Sequence, residues 1–362
     1  MRATRWFVSQ HPITLTDAIK ATRLFHCTDS RDHIIALLSH ATDVERGSIL
    51  HDNLYLLPVQ ECFLRFAKAQ LLEKRSLTVL SYAPQKVATD ALYPFWIRPY
   101  LRWQNRGLPG LPSWVPDLRH QDFDTLPTYT FRYGNFSAGG AEDGTIEIID
   151  NKVLRCSGLM LVVLEDRGVS YFDLPLPPKP ARAPHPLNKK SASASQGGVR
   201  APLATVRLRG CPGPAPRSGC LPCGRALTGE RAHLSDRVDV DWSEEFKAYV
   251  AASDTWFISE DPDEAGRARL SFVTSGQTIE YSIMGFGLVR RLSHTAEGRL
   301  YMAPTEARVG DVVCVLLGCD VPLVVRPTRK GMYELIGDAY VSGIMDGEAL
   351  FGQYDRVDVM LE

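Results

Sequence analysis

The chain has 362 residues, enough for two packed cores or for one core with a long insertion. Its 41 basic residues nearly cancel its 42 acidic ones, so no overall field draws it to nucleic acid or to an anionic membrane. No apolar run approaches the ~18–20 residues that cross a bilayer, and the first ten residues hold too short an apolar stretch for a secretory signal. The eight cysteines have no framework spacing, and most sit in apolar runs, as at Cys62, Cys156 and Cys314. They read as reduced, buried small hydrophobes of an intracellular, cytoplasmic protein.

In chain order, residues 1 to about 80 read as helical. Thr28-Asp-Ser-Arg-Asp32 has the form of a helix start, with Asp29 as N-cap and Asp32 as a carboxylate near the free amides. Ile34, Leu37, Leu38 and Ala41 then follow at i, i+3, i+4, i+7 and build one apolar stripe. A second helix is predicted from about Asn53 to Lys74, with Val59, Phe63, Phe66, Ala67, Gln70 and Leu71 on one side. Leu77 to Tyr82 is a short buried tail. The stretch Leu108-Pro-Gly-Leu-Pro-Ser-Trp-Val-Pro-Asp-Leu118 cannot be a regular helix, because its prolines remove donors and force extended geometry. Trp114 is expected to anchor it against a core. From Thr145 the pattern turns to strand. Ile146 and Ile148 alternate, Asp150-Asn-Lys152 makes a turn, and Val153 to Leu164 returns with a bulge expected at Gly158.

Residues from about 175 to 235 break the pattern, with Pro175-Leu-Pro-Pro-Lys-Pro180 followed by Ser191-Ala-Ser-Ala-Ser-Gln-Gly-Gly198. This composition buries too little apolar area to offset backbone ordering, so disorder is expected. An amphipathic stretch with Trp242, Phe246 and Tyr249 on one side follows, then a β-rich tail from about Leu270. There Val312 to Leu317 is continuously apolar and should be buried on both faces. Gly318-Cys-Asp320 breaks it at hairpin length, and Val321 to Arg326 returns. Pro327 to Gly331 supplies the next turn before Tyr333-Glu-Leu335.

This tail, from Arg308-Val-Gly-Asp311 through Arg326-Pro327 to Gly343-Ile-Met-Asp-Gly-Glu-Ala349, resembles the C-terminal signature of fungal heterokaryon-incompatibility (HET) proteins. It departs at Asp338, where the family usually has Glu or a similar residue. Other blocks agree in order. Cys27-Thr-Asp-Ser-Arg-Asp-His-Ile-Ile-Ala-Leu-Leu38 is similar to the family's C-x-D-P-R-D-K-I-Y-A-L-L helix, with Ser30 in place of Pro. Phe63 to Ala69 and Leu80-Ser-Tyr-Ala83 resemble the next helix and its exit. Leu111-Pro-Ser-Trp-Val-Pro-Asp117 resembles the LPSWVPDW element, with Leu118 replacing the second Trp. The family's L-S-Y-x-W-G-like block is not met before Asp29. The resemblance therefore implies the end of a HET domain plus the regulatory C-terminal region, and a truncated or regulatory member. For the family it implies non-self recognition and programmed cell death on hyphal fusion, and a distant likeness to TIR domains.

Each candidate for chemistry has a structural rival. Cys211, Cys220, Cys223 and His233 could supply four zinc ligands, but the surrounding Pro/Gly/Arg/Ala composition offers no core to hold them, and a solvated linker is the preferred reading. Asp346 and Glu348 look like paired acids, while Asp346-Gly347 more often makes a turn itself. Arg31 and Asp32 with His33 could form a polar site, against a capping and ion-pair role that fixes the helix on the β-rich part. Met284-Gly-Phe-Gly-Leu288 lacks the third glycine of a phosphate loop. Arg98 to Arg106, with Tyr100 and Trp103, reads as a snorkelling surface segment before a nucleic-acid stacker. No hydrolase, zincin or P-loop motif is present.

The expected fold is α+β, a helical N-terminal part packed on a β-rich C-terminal part with a disordered insertion. Its divisions are 1–83 (helical), 84–174 (Pro/Trp connector and hairpin), 175–235 (insertion) and 236–362 (β-rich). Asp29, Arg31, Asp32, Trp114, Pro116, Asp117, Gly343, Asp346, Gly347 and Glu348 are the residues singled out. The expected function is incompatibility through contacts with other incompatibility or regulatory proteins, with no cofactor, nucleic acid or membrane. A TIR-like NAD-cleaving effector and a zinc-dependent binding module are the alternatives.

Overall fold

The computed structural model describes residues 13–22, 27–82, 108–119, 136–142, 144–166, 168–170 and 290–362, with 261, 263 and 267 besides. The 175–235 insertion, the Trp242 stretch, the four zinc candidates, Arg98 to Arg106 and Met284 to Leu288 lie outside them. Among the described residues, three α-helices come first. Helix α1 (Leu15–Thr22) begins at Thr14, whose hydroxyl accepts from the Asp17 amide at 3.1 Å and donates to the Asp17 carboxylate at 2.8 Å. Leu15, Ala18 and Ile19 are its buried face. Helix α2 (Asp32–Leu38) buries Ile34 fully, with Leu37, Leu38 and Ala41 packed at its margin, as the stripe requires. Helix α3 (Val59–Lys68) begins later than its periodicity suggests. Pro58 pushes Leu57 into extended backbone (ψ 150°), so residues 54–56 close a separate 3-10 turn first. Helix α3 runs on as a π-helical turn, Ala69–Glu73, in which buried Gln70 accepts from Thr16 Oγ1 at 2.9 Å. A buried 3-10 turn, Leu77–Tyr82, follows.

Strands β1 (Ile146–Ile149) and β2 (Val153–Val163) form a hairpin whose turn residues Asp150 and Asn151 both have positive φ, 50° and 58°. Mirror-image turns of this kind match the twist of the flanking strands. The bulge in β2 lies at Leu161, where the register slips between Met160 and Val162, and not at Gly158. Gly158 answers a different need: a Cβ there would stand 2.8 Å from the Leu316 side chain and 2.8 Å from the Val315 carbonyl. Its missing side chain lets two backbones meet.

After the described segment that ends in β3 (Val169–Ser170) come β4 (Arg290–His294), β5 (Leu300–Pro304), β6 (Val312–Leu316), β7 (Leu323–Pro327), β8 (Tyr333–Asp338), β9 (Tyr340–Val341) and β10 (Arg356–Leu361). Strands β6, β7 and β8 form the expected antiparallel meander. β10 runs parallel to β8 and antiparallel to β2, pairing Leu154 to Leu159 of β2, while Gly158 to Val163 of β2 pair with β6. The ring β2–β10–β8–β7–β6 therefore closes on itself, with β1 added at the side of β2. Closure leaves no open edge within the ring. A second sheet of order β3-β4-β5-β9 shares the chain at Ala339, where β8 passes directly into β9.

Two apolar clusters explain why β6 is apolar throughout. Cys314 and Leu316 face one cluster, with Leu154, Leu323, Val325, Val359, Trp114 and helix α3; Val313 and Val315 face the other, with Leu159, Val324, Tyr301 and Ile344. The fold is mixed α+β, with the helical part packed on the β-rich part through the first cluster.

Candidate functional site

Asp29, Arg31 and Asp32 form one polar knot. The Asp29 carboxylate accepts from the Arg31 amide at 3.0 Å, from Nε at 2.9 Å and from Nη2 at 2.6 Å. Arg31 Nη1 donates onward to the carbonyls of Tyr55 (2.7 Å) and Leu57 (2.8 Å). Its guanidinium lies 5.6 Å from the Tyr55 ring centroid, and the Tyr55 hydroxyl donates to Asp32. The helix begins at Asp32 with Arg31 in the cap position, so Asp29 does not cap it from the adjacent residue. It closes the turn that leads in. These contacts run to the 54–57 turn of the helical part and not to a strand.

Hydrogen bonds from the Arg31 side chain hold the Asp29 carboxyl down, from its usual 3.8 to about 2. A depressed folded pKa makes this contribution to stability complete above pH 3.8, and it is lost as pH falls through about 2. The urea midpoint of Asp29→Asn should lie below that of the parent protein at neutral pH, and the gap should close on acidification across that window. A gap unchanged with pH would refute the assignment.

The connector repeats this clip. Asp117 accepts from the Arg119 amide at 3.2 Å, Nε at 2.9 Å and Nη2 at 2.7 Å, the pattern of Asp29 and Arg31, and also from the Leu108 amide at 3.1 Å. An Asp-x-Arg spacing is thus the local signal for both turns, and it reveals Arg119, which helix and strand periodicity pass over. Trp114 is fully buried, and its Nε1 donates to the Lys152 carbonyl at 3.0 Å, at the β1–β2 turn. Pro116 is buried beside it. Ser113 ties the connector to the chain's end: its amide donates to the Glu362 carbonyl at 3.0 Å, and its Oγ accepts from the Leu335 amide at 2.9 Å.

In the Gly343 to Glu348 turn, Gly343 (φ 74°) and Gly347 (φ 90°) occupy left-handed backbone. Ile344, Met345 and Ala349 point inward, while Asp346 and Glu348 are exposed. The Asp346 amide donates to Glu348 Oε2 at 2.8 Å, and the Gly343 carbonyl accepts from Arg299 at 3.3 Å. One acid thus caps the turn that carries the other. Phe351, at the end of the following 3-10 turn, is 92% exposed.

Two further ion pairs lie in the β-rich part with their carboxylates buried. Asp311 and Arg326, from the Gly-Asp and Arg-Pro ends of the tail motif, meet bidentately at 2.8 and 2.9 Å. Arg290 and Asp338, both 0% exposed, pair at 2.6 Å where the two sheets join, and Arg290 also donates to the Asp338 carbonyl at 2.8 Å. Arg290 escaped the sequence reading, since an Arg-Arg doublet resembles a solvated face. Cys62, Cys156, Cys314 and Cys319 are buried, and burial raises their thiols, Cys62 to about 11 and Cys156 and Cys319 to about 12. They stay protonated and unreactive near neutral pH. Among the described residues no group of three or more His, Cys, Asp or Glu side chains could hold a metal, and no helix is long and apolar enough to cross a membrane.

The family model of the Het-6 beta-barrel domain matches residues 232–361. The curated relative "Heterokaryon incompatibility protein 6, OR allele" of Neurospora crassa is 35% identical over 117 residues, which cover 31% of this chain and 16% of that protein. No solved structure matches the chain. Both likenesses are to fungal heterokaryon-incompatibility (HET) proteins, and the match to the Het-6 beta-barrel domain takes in strands β4 to β10 with the tail motif they carry.

Proposed function

We propose that the chain takes part in non-self recognition after hyphal fusion. In this reading it acts in the cytoplasm, through contacts with other incompatibility or regulatory proteins and not through turnover. The observation that carries this reading is the 35% likeness to a protein named for heterokaryon incompatibility. The use made of the motif residues supports the contact mechanism. Asp311, Arg326, Asp338, Asp29 and Asp117 are engaged in ion pairs that build the fold, while Asp346, Glu348 and Phe351 stand on the surface of one turn. A cell-death response would follow from contact and not from a reaction performed by these residues.

The test expresses the chain in a filamentous fungus and pairs it with strains of differing incompatibility genotype. Growth arrest in some pairings and none in self-pairing is expected. Equal growth in every pairing would overturn the role in incompatibility. Sustained nicotinamide release from NAD⁺ by the purified protein would overturn the contact mechanism and favour the TIR-like alternative.

A further inference from the structure

We infer that the barrel is a two-piece domain. The groove between β6 and β10 is a strand-binding site, and residues 136–164 dock in it by contacts alone, without need of the covalent path through residues 171–289. The family match begins at residue 232, yet β2, one of the five ring strands, lies at Val153–Val163. Without β2, both β6 and β10 would present open edges.

The incoming segment is held by backbone pairing on both sides. β2 meets β10 over Leu154 to Leu159 and β6 over Gly158 to Val163. Ahead of it, the amides of Ser137, Ala138 and Gly139 donate to the carbonyls of Met345, Asp320 and Cys319 at 2.9, 3.0 and 2.8 Å. A Cβ at Gly139 would lie 2.1 Å from the Leu316 carbonyl oxygen and 2.7 Å from the Cys319 nitrogen, so only glycine passes there. Gly158 meets the same condition farther along.

Side chains fix the register. Leu154, Cys156 and Leu159 are buried, while Arg155 reaches Glu147 on β1 and Asp358 on β10 at the surface. Main-chain bonds supply the hold and alternate side chains the selectivity, which is the logic of strand addition. The helical part and the connector add two clamps across the same division: Thr78 donates to Asp320 at 2.9 Å and the Ser113 amide to the Glu362 carbonyl at 3.0 Å.

The experiment inserts a protease recognition sequence between Ser195 and Gln196 of the full chain and cuts it to completion. Cutting removes the roughly millimolar effective concentration that a linker confers, so retention at micromolar protein measures the contacts themselves. Both fragments are expected in one gel-filtration peak with the mass of one uncut chain, and the amides of Cys156 and Leu159 should keep their hydrogen-exchange protection. Fragments that elute apart would overturn the inference. So would co-elution with that protection lost, since the pieces would then be joined elsewhere than in the groove.

Discussion

Asp338→Ala should lower the free energy of unfolding by about 3–5 kcal/mol, the usual effect of removing one member of a buried ion pair. Both Arg290 and Asp338 have 0% of their side chains exposed, and the carboxylate lies 2.6 Å from the guanidinium. Removing it leaves a cation in the interior facing a methyl group, far from water that could solvate it. That loss is a large share of the roughly 5–15 kcal/mol that holds a domain together. The double variant Arg290→Met, Asp338→Ala should recover part of the loss, because no charge then remains buried. A thermodynamic cycle built from urea curves gives the coupling directly. An Asp338→Ala unfolding free energy within about 0.5 kcal/mol of the parent protein's would show that the pair does not hold the two sheets together.

Trp114→Ala is the second large effect, with an expected cost of about 3–5 kcal/mol. The indole is fully buried in the cluster shared by helix α3 and the ring strands, so its removal opens a cavity at the seam between helical and β-rich parts. Trp114→Phe separates the two contributions. It keeps most of the apolar volume and loses only the bond to the Lys152 carbonyl, so it should cost about 1–2 kcal/mol. Equal losses for the two variants would mean that the hydrogen bond, and not the packing, anchors the connector.

The meander was legible in the sequence because its signals are local. Val312 to Leu317 is apolar without interruption since clusters press on both its faces, and the glycines and prolines on either side mark its turns. The α2 stripe and the buried role of Trp114 were readable for the same reason. Helix α3 was placed too early because hydrophobic periodicity continues through residues 54–57, while the effect of Pro58 on Leu57 decides the start. Gly158 was misread because a glycine in a strand serves either a bulge or a close approach, and only the partner strand distinguishes them. Ring closure was not legible at all. It rests on pairing between β2 and strands well over a hundred residues away, which no window along the chain contains. The site residues divide similarly. Asp29, Arg31, Asp117 and the Gly343 to Glu348 turn announce themselves through short-range spacing, whereas Arg290 acquires meaning only opposite Asp338.

Ring closure also sets a timetable for biosynthesis. β2 emerges from the ribosome on the order of 150 residues before β6, a delay of roughly 8–30 s at ordinary rates of elongation. Throughout that interval Leu154, Cys156 and Leu159 have no barrel to enter, so the nascent hairpin is a sticky surface awaiting its mates. Slowed translation between Ser170 and Arg290 would lengthen the wait, and holding chaperones would find their substrate there.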